Sequence, residues 1–144
     1  MMKKYLLLIG MLIAVQVQAQ QVDPWKISAG NINPANYYGV TVANGMIGIV
    51  SSPEPFKVKD VVLAGAYDLY GRGRVSNFLR SFNLLNAYLE IDGKRIDARN
   101  TSSLKQELDM KKAGFTCSFD YADKATVSYT YYSLRQLPYT VLMD

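Results

Sequence analysis

From Phe115 to Tyr121 every second residue is apolar or aromatic (Phe115, Cys117, Phe119, Tyr121), and Thr116, Ser118 and Asp120 lie between them. A period of two sends neighbouring side chains to opposite faces and predicts a strand buried on one side. The next segment, Ala125 to Tyr132, repeats the pattern, with Val127, Tyr129 and Tyr131 on one face and Thr126, Ser128 and Thr130 on the other. Two hairpins precede these strands. Asn44-Gly45 joins Gly39–Ala43 to Met46–Val50, and Asp92-Gly93 joins Ala87–Ile91 to Lys94–Asp97. Such dipeptides predict type I′ turns, whose two central residues both need positive φ. Val61 to Ala64 is a short continuous apolar run and predicts a strand buried on both faces. Pro53 and Pro55 interrupt the ladder before it, and Pro138 opens a last strand over Tyr139–Met143.

Helical promise is confined to Ser76–Leu85 and Thr101–Asp109, where Ser102-Ser103 could cap a single turn. A loop rich in Gly and Arg runs from Asp68 to about Asn77. Short strands with turns between them, without βαβ alternation or internal repeats, predict an all-β fold, an antiparallel β-sandwich.

The first residues follow a different pattern. Lys3 and Lys4 precede an apolar run from Tyr5 to Val15, and Val17-Gln18-Ala19 supplies small residues for signal peptidase. This predicts a signal peptide over residues 1–19 and a mature domain over 20–144, periplasmic or secreted. The apolar run is about half of the ~20 residues a spanning helix needs, so no membrane span is expected in the mature chain. No cysteine near the cut offers a lipid anchor. At the other end, strand composition continues to Asp144, which predicts that the natural polypeptide continues and that 20–144 is an incomplete domain, a fragment of something larger.

Composition narrows the chemistry. The chain has 144 residues, 49% hydrophobic and 19% charged, the profile of one soluble globular domain. The formal charge of +4 falls to +2 (14 basic minus 12 acidic residues) without Lys3 and Lys4, too little to point to nucleic acid. There is no histidine, which excludes Ser-His and Cys-His pairs and imidazole metal sites within the chain. Cys117 is the sole cysteine, so no internal disulfide can form, and its place between Phe115 and Phe119 reads as buried filler. No glycine-rich loop opens a helix to cradle a phosphate.

Glu90 and Asp92 lie two apart on a strand, about 7 Å by strand rise, within the range of an inverting glycosidase pair. They alternate with Leu89 and Ile91, however, so they face solvent, and Asp92 is needed by its turn. Arg72 and Arg74, flanked by Gly71 and Gly73, suit carboxylate or phosphate, but read better as a solvated or docking loop. Among eleven tyrosines, Tyr129 and Tyr131 share a face with Val127 and read as core, whereas Tyr132 is free to stack on a sugar or to pack. No catalytic, cofactor-binding or metal-ligating residue is assigned.

Asn44-Gly45-Met46-Ile47-Gly48, Leu63-Ala64-Gly65-Ala66-Tyr67-Asp68, Leu89-Glu90-Ile91-Asp92-Gly93 and Leu108-Asp109-Met110 with Gly114 and Phe115 occur in this order and spacing. The series, ending with Tyr132-Ser133, resembles the N-terminal domain of glycoside hydrolase family 65. That family comprises α-glucoside phosphorylases and hydrolases acting on maltose, trehalose, kojibiose and related disaccharides. The resemblance runs from about Val40 to Asp144. One departure is that Gly48 leads into Ile49-Val50-Ser51-Ser52, where the family usually has a Gly-x-Arg-Gly run.

The resemblance implies part of a super-sandwich of the galactose-mutarotase-like type, non-catalytic in itself. It also implies a downstream (α/α)6 barrel carrying the catalytic Glu and binding the α-glucoside, with a homodimer as a further possibility for the parent. The alternative of another class is a free-standing secreted sandwich that binds carbohydrate without catalysis.

Overall fold

A computed structural model describes residues 23–66 and 83–144. The expected signal peptide, the whole Gly/Arg loop with Arg72 and Arg74, and residues 76–82 of the first helical candidate lie outside the described residues. Ten strands occur in the described chain: β1 Lys26–Ala29, β2 Thr41–Ala43, β3 Ile47–Ser51, β4 Val58–Leu63, β5 Glu90–Ile91, β6 Lys94–Arg95, β7 Ser102–Asp109, β8 Gly114–Tyr121, β9 Ala125–Ser133 and β10 Val141–Met143. All pairings are antiparallel. β1-β7-β8-β9-β10 form a five-stranded sheet, β2-β3-β4 a three-stranded sheet, and β5-β6 a short ribbon. The architecture is the expected all-β sandwich. Among the described residues no helix is long and apolar enough to cross a membrane.

The alternating strands behave as their pattern dictates. Phe115, Cys117, Phe119 and Tyr121 of β8 and Tyr129 and Tyr131 of β9 are buried together. Facing them, the smaller sheet contributes Val42, Ile47, Ile49, Val58 and Val61 to the same core. Burying each such side chain is worth about 1.5–3 kcal/mol.

Phe56 locks the two layers. Its ring stacks on Tyr129 at 4.5 Å and meets Phe119 edge-on at 5.8 Å. Its N–H donates to Tyr129 Oη (2.7 Å), and its carbonyl accepts from the Ala87 N–H (2.9 Å). These contacts hold Phe56 in the left-handed region at φ 59°, a conformation that costs a non-glycine residue roughly 1–2 kcal/mol.

Three local expectations are corrected. Thr101–Asp109 forms no helical turn: β7 fills it, between β1 and β8. Leu104 and Leu108 stand four apart, which fits one helix face, but four is also twice two. Gln106 occupies the inward position between them and is 5% exposed. Second, Asn44-Gly45 makes no type I′ turn, because only Gly45 takes positive φ (89°). Asn44 Oδ1 instead accepts from the N–H groups of Met46 and Ile47, which moves the bend one residue on. Asp92-Gly93, by contrast, has both residues at positive φ, 53° and 72°. Third, the apolar run expected at Val61–Ala64 belongs to a strand that begins at Val58, and it is fully buried on one face only: Val61 is enclosed, whereas Val62 on the other face is half-buried.

Candidate functional site

The carboxylates singled out in the sequence do not converge. Glu90 is exposed on β5, and Asp92 sits in the turn, ion-paired with Lys124. Elsewhere Asp97 pairs with Arg99 at 2.6 Å, and Glu107 with Lys26 at 2.9 Å and Lys105 at 3.4 Å. The hydrogen bond from Arg99 holds the Asp97 carboxyl below its usual range, and that from Lys26 does the same for Glu107. A glycosidic general acid needs the opposite shift, a carboxyl kept protonated at neutral pH. Neither residue has the environment for it. Among the described residues no three of His, Cys, Asp and Glu come together as metal ligands.

Cys117 is fully enclosed, and burial pushes its thiol up and away from the reactive thiolate. Burial also raises Tyr129 and Tyr131, so both stay neutral core residues. Tyr132 projects from the opposite face of β9 and lies over Gly114, where an added Cβ would stand 2.7 Å from its ring. Its ring packs on its own sheet.

One constellation was missed from sequence. Tyr37 Oη donates to Gln106 Oε1 (2.6 Å) and is 2.6 Å from Ser51 Oγ. With its proton spent on Gln106, the Tyr37 oxygen accepts from Ser51, whose Oγ accepts from the Val40 N–H (2.7 Å). Gln106 Nε2 donates to the Ser52 carbonyl (2.7 Å). Every member is neutral, and burial pushes the Tyr37 hydroxyl up, so this trio of Tyr37, Ser51 and Gln106 holds no base to activate a nucleophile. Its work is to tie residues 37–40, β3 and β7 together. These residues are far apart in sequence, and no spacing links them. The buried Gln106 among charged neighbours was the sole hint.

What remains as a candidate site is surface. The outer face of the five-stranded sheet carries Lys26, Lys105, Glu107, Thr116, Asp120 and Thr126, knitted by ion pairs and by Thr126–Asp120 and Thr116–Thr130 hydrogen bonds at 2.7 and 2.9 Å. The outer face of the three-stranded sheet has two cross-strand rows: Thr41–Val50–Asp60, polar at both ends, and Ala43–Gly48–Val62, apolar and small-featured. Ala43, Met46, Gly48, Val50, Val62 and Ala64 line a groove of about 430 Å³ there. A second cleft, about 320 Å³, opens beside β1, where Asn31, Asn33, Asn36, Tyr37, Gln106 and Glu107 share the lining with apolar residues such as Ile27, Val40 and Leu108. The groove has no ionisable side chain in its lining, and in the cleft the carboxylate of Glu107 is taken up by Lys26 and Lys105 and the Tyr37 hydroxyl by Gln106 and Ser51.

No family model matches the sequence. Two curated relatives do. A kojibiose hydrolase of Mucilaginibacter mallensis is 68% identical over 133 residues, which are 92% of this chain and 19% of that protein. A kojibiose hydrolase of Flavobacterium johnsoniae is 58% identical over 121 residues, 84% of this chain and 18% of that protein. The chain spans about a fifth of the length of these relatives. In both, the matched stretch is a minor part of a larger protein named for glycoside hydrolysis.

Proposed function

We propose that the chain is the non-catalytic N-terminal β-sandwich portion of an exported enzyme resembling glycoside hydrolase family 65, and that the whole protein hydrolyses kojibiose with inversion. The observation that carries this reading is the 68% identity to a kojibiose hydrolase across 92% of the chain, against only 19% of that enzyme. The structure supports it from the other side: Glu90 is exposed, Asp92, Asp97 and Glu107 are ion-paired, Tyr129 and Tyr131 are committed to the core, and the buried Tyr37–Ser51–Gln106 hydrogen bonds join neutral groups. The chemistry then lies in the rest of the polypeptide, a helical barrel in which a carboxylic acid protonates the glycosidic oxygen while water attacks from the opposite face. The sandwich packs against that barrel and shapes the rim of its sugar site. The Lys3-Lys4 start, the Tyr5–Val15 apolar run and Ala19 support export to the periplasm or beyond.

The test compares two proteins for glucose release from kojibiose. One is this chain alone; the other is the Mucilaginibacter mallensis relative with this chain replacing its matched segment. The chain alone is expected to be inactive and the graft active. Turnover by the chain alone, or a graft that folds but has lost kojibiose cleavage, would overturn the proposal.

A further inference from the structure

An antiparallel sheet that faces water on its outer side alternates polar side chains outward. Across β1, β7, β8 and the first part of β9 the five-stranded sheet obeys this, with Tyr132 and Leu142 as the exceptions at the β10 edge. In the three-stranded sheet the Thr41–Val50–Asp60 row is polar at its ends and the next row is not polar at all. Ala43, Gly48 and Val62 are paired partners and form an apolar row across the outside of β2, β3 and β4, with Met46 and Ala64 beside them.

Two features of this row have no use within the described fold. Val61-Val62-Leu63 has the composition of a strand buried on both faces, yet among the described residues Val61 is enclosed on the inner side and Val62 on the outer side is only half-buried. Gly48 sits mid-strand, where glycine is unfavourable, although its φ is not positive and an added Cβ would meet only Ala43 Cβ at an ordinary 3.4 Å. A strand glycine that neither conformation nor its neighbours require marks close approach by something else. The relatives supply a candidate for that something, since about four-fifths of the Mucilaginibacter mallensis protein lies outside the matched stretch.

We infer that the outer face of β2-β3-β4 is the docking surface for the remaining polypeptide of the full-length protein, with an apolar element of that region seated against Gly48. The inference rests on the function proposed above. It names the face through which the sandwich meets its larger neighbour, and leaves the polar face of the five-stranded sheet to solvent.

Thiol labelling tests it, because the native Cys117 is fully enclosed and contributes little background. Val62→Cys probes the apolar face and Ser128→Cys the polar one; Val50→Cys serves as a second apolar-face probe should Val62→Cys fail to fold. Each is placed in the isolated chain and in the graft with the Mucilaginibacter mallensis relative, and peptide-level labelling rates are compared by mass spectrometry. The apolar-face thiol is expected to slow by about tenfold or more in the graft, with Ser128→Cys changed by less than about twofold. A graft that cleaves kojibiose but labels Val62→Cys as fast as the isolated chain overturns the docking face and leaves the proposed function standing. Protection of Val62→Cys that rises with concentration in the isolated chain identifies a second copy as the occupant and equally overturns it. A folded graft without kojibiose cleavage removes the functional reading and this inference with it.

Discussion

The two sheets share one core but end in opposite outer surfaces. Outside the five-stranded sheet, Lys26 and Lys105 flank Glu107, and threonine hydroxyls bridge neighbouring strands. Outside the three-stranded sheet, Thr41 and Asp60 flank Val50 in one row, and the next row is wholly apolar, Ala43, Gly48 and Val62. Both are outward faces of antiparallel sheets, so strand geometry cannot explain the difference. The inferred docking of the remaining polypeptide accounts for it, with water against one face and protein against the other.

The contrast presupposes that the small sheet is fixed to the large one, and Phe56 is where that is most exposed to attack. Phe56→Ala removes a ring packed on Tyr129 and Phe119 and should lower the unfolding free energy by about 3–5 kcal/mol, measured by urea denaturation. A loss under about 1 kcal/mol would mean that the layers do not depend on each other there.

Gln106→Ala comes next. It strands the Tyr37 hydroxyl and the Ser52 carbonyl in a partly buried setting and should cost about 1–3 kcal/mol. Gln106→Glu would sharpen the result, since a carboxylate keeps the acceptor for Tyr37 but loses the donor to Ser52.

The smallest effect belongs to the polar face. Glu107 is held below its usual range by Lys26, so its pairing adds stability above the unfolded carboxyl pKa, and that contribution fades as pH falls through the folded value. A modest decline in thermal midpoint is expected below about pH 4, weaker still in salt. Glu107→Gln should flatten that decline. An undiminished slope in Glu107→Gln would assign it to other carboxylates.

Much of this fold was legible in advance where the signal was local. β8 and β9 alternate cleanly, and Asp92-Gly93 forms its hairpin as expected. Legibility failed where one residue broke the code. Gln106 in an inward position disguised β7 as a helical turn, and the Asn44 side chain took over hydrogen bonds that a type I′ turn would have left to the backbone. The exclusion of Glu90–Asp92 as a catalytic pair followed from alternation, and the structure places both at the surface. The Tyr37–Ser51–Gln106 chain was invisible because its members meet only in three dimensions. The apolar run at Val61–Ala64 was read as doubly buried, and in the described chain its outer side is only half-buried at Val62. That shortfall is itself the pointer to the apolar face.

One substitution, measured in two settings, decides the matter. Gly48→Ala adds a methyl group for which the isolated chain has room, and relief of an unfavourable strand glycine should stabilise that chain by about 0.5–1 kcal/mol. In the graft with the Mucilaginibacter mallensis relative, the same methyl group would press on whatever occupies the groove and should destabilise the protein, overpacking costing about 1–3 kcal/mol. Opposite signs in chemical denaturation of the two proteins are the predicted result. Equal stabilisation in both would mean that nothing approaches Gly48, and would contradict the account.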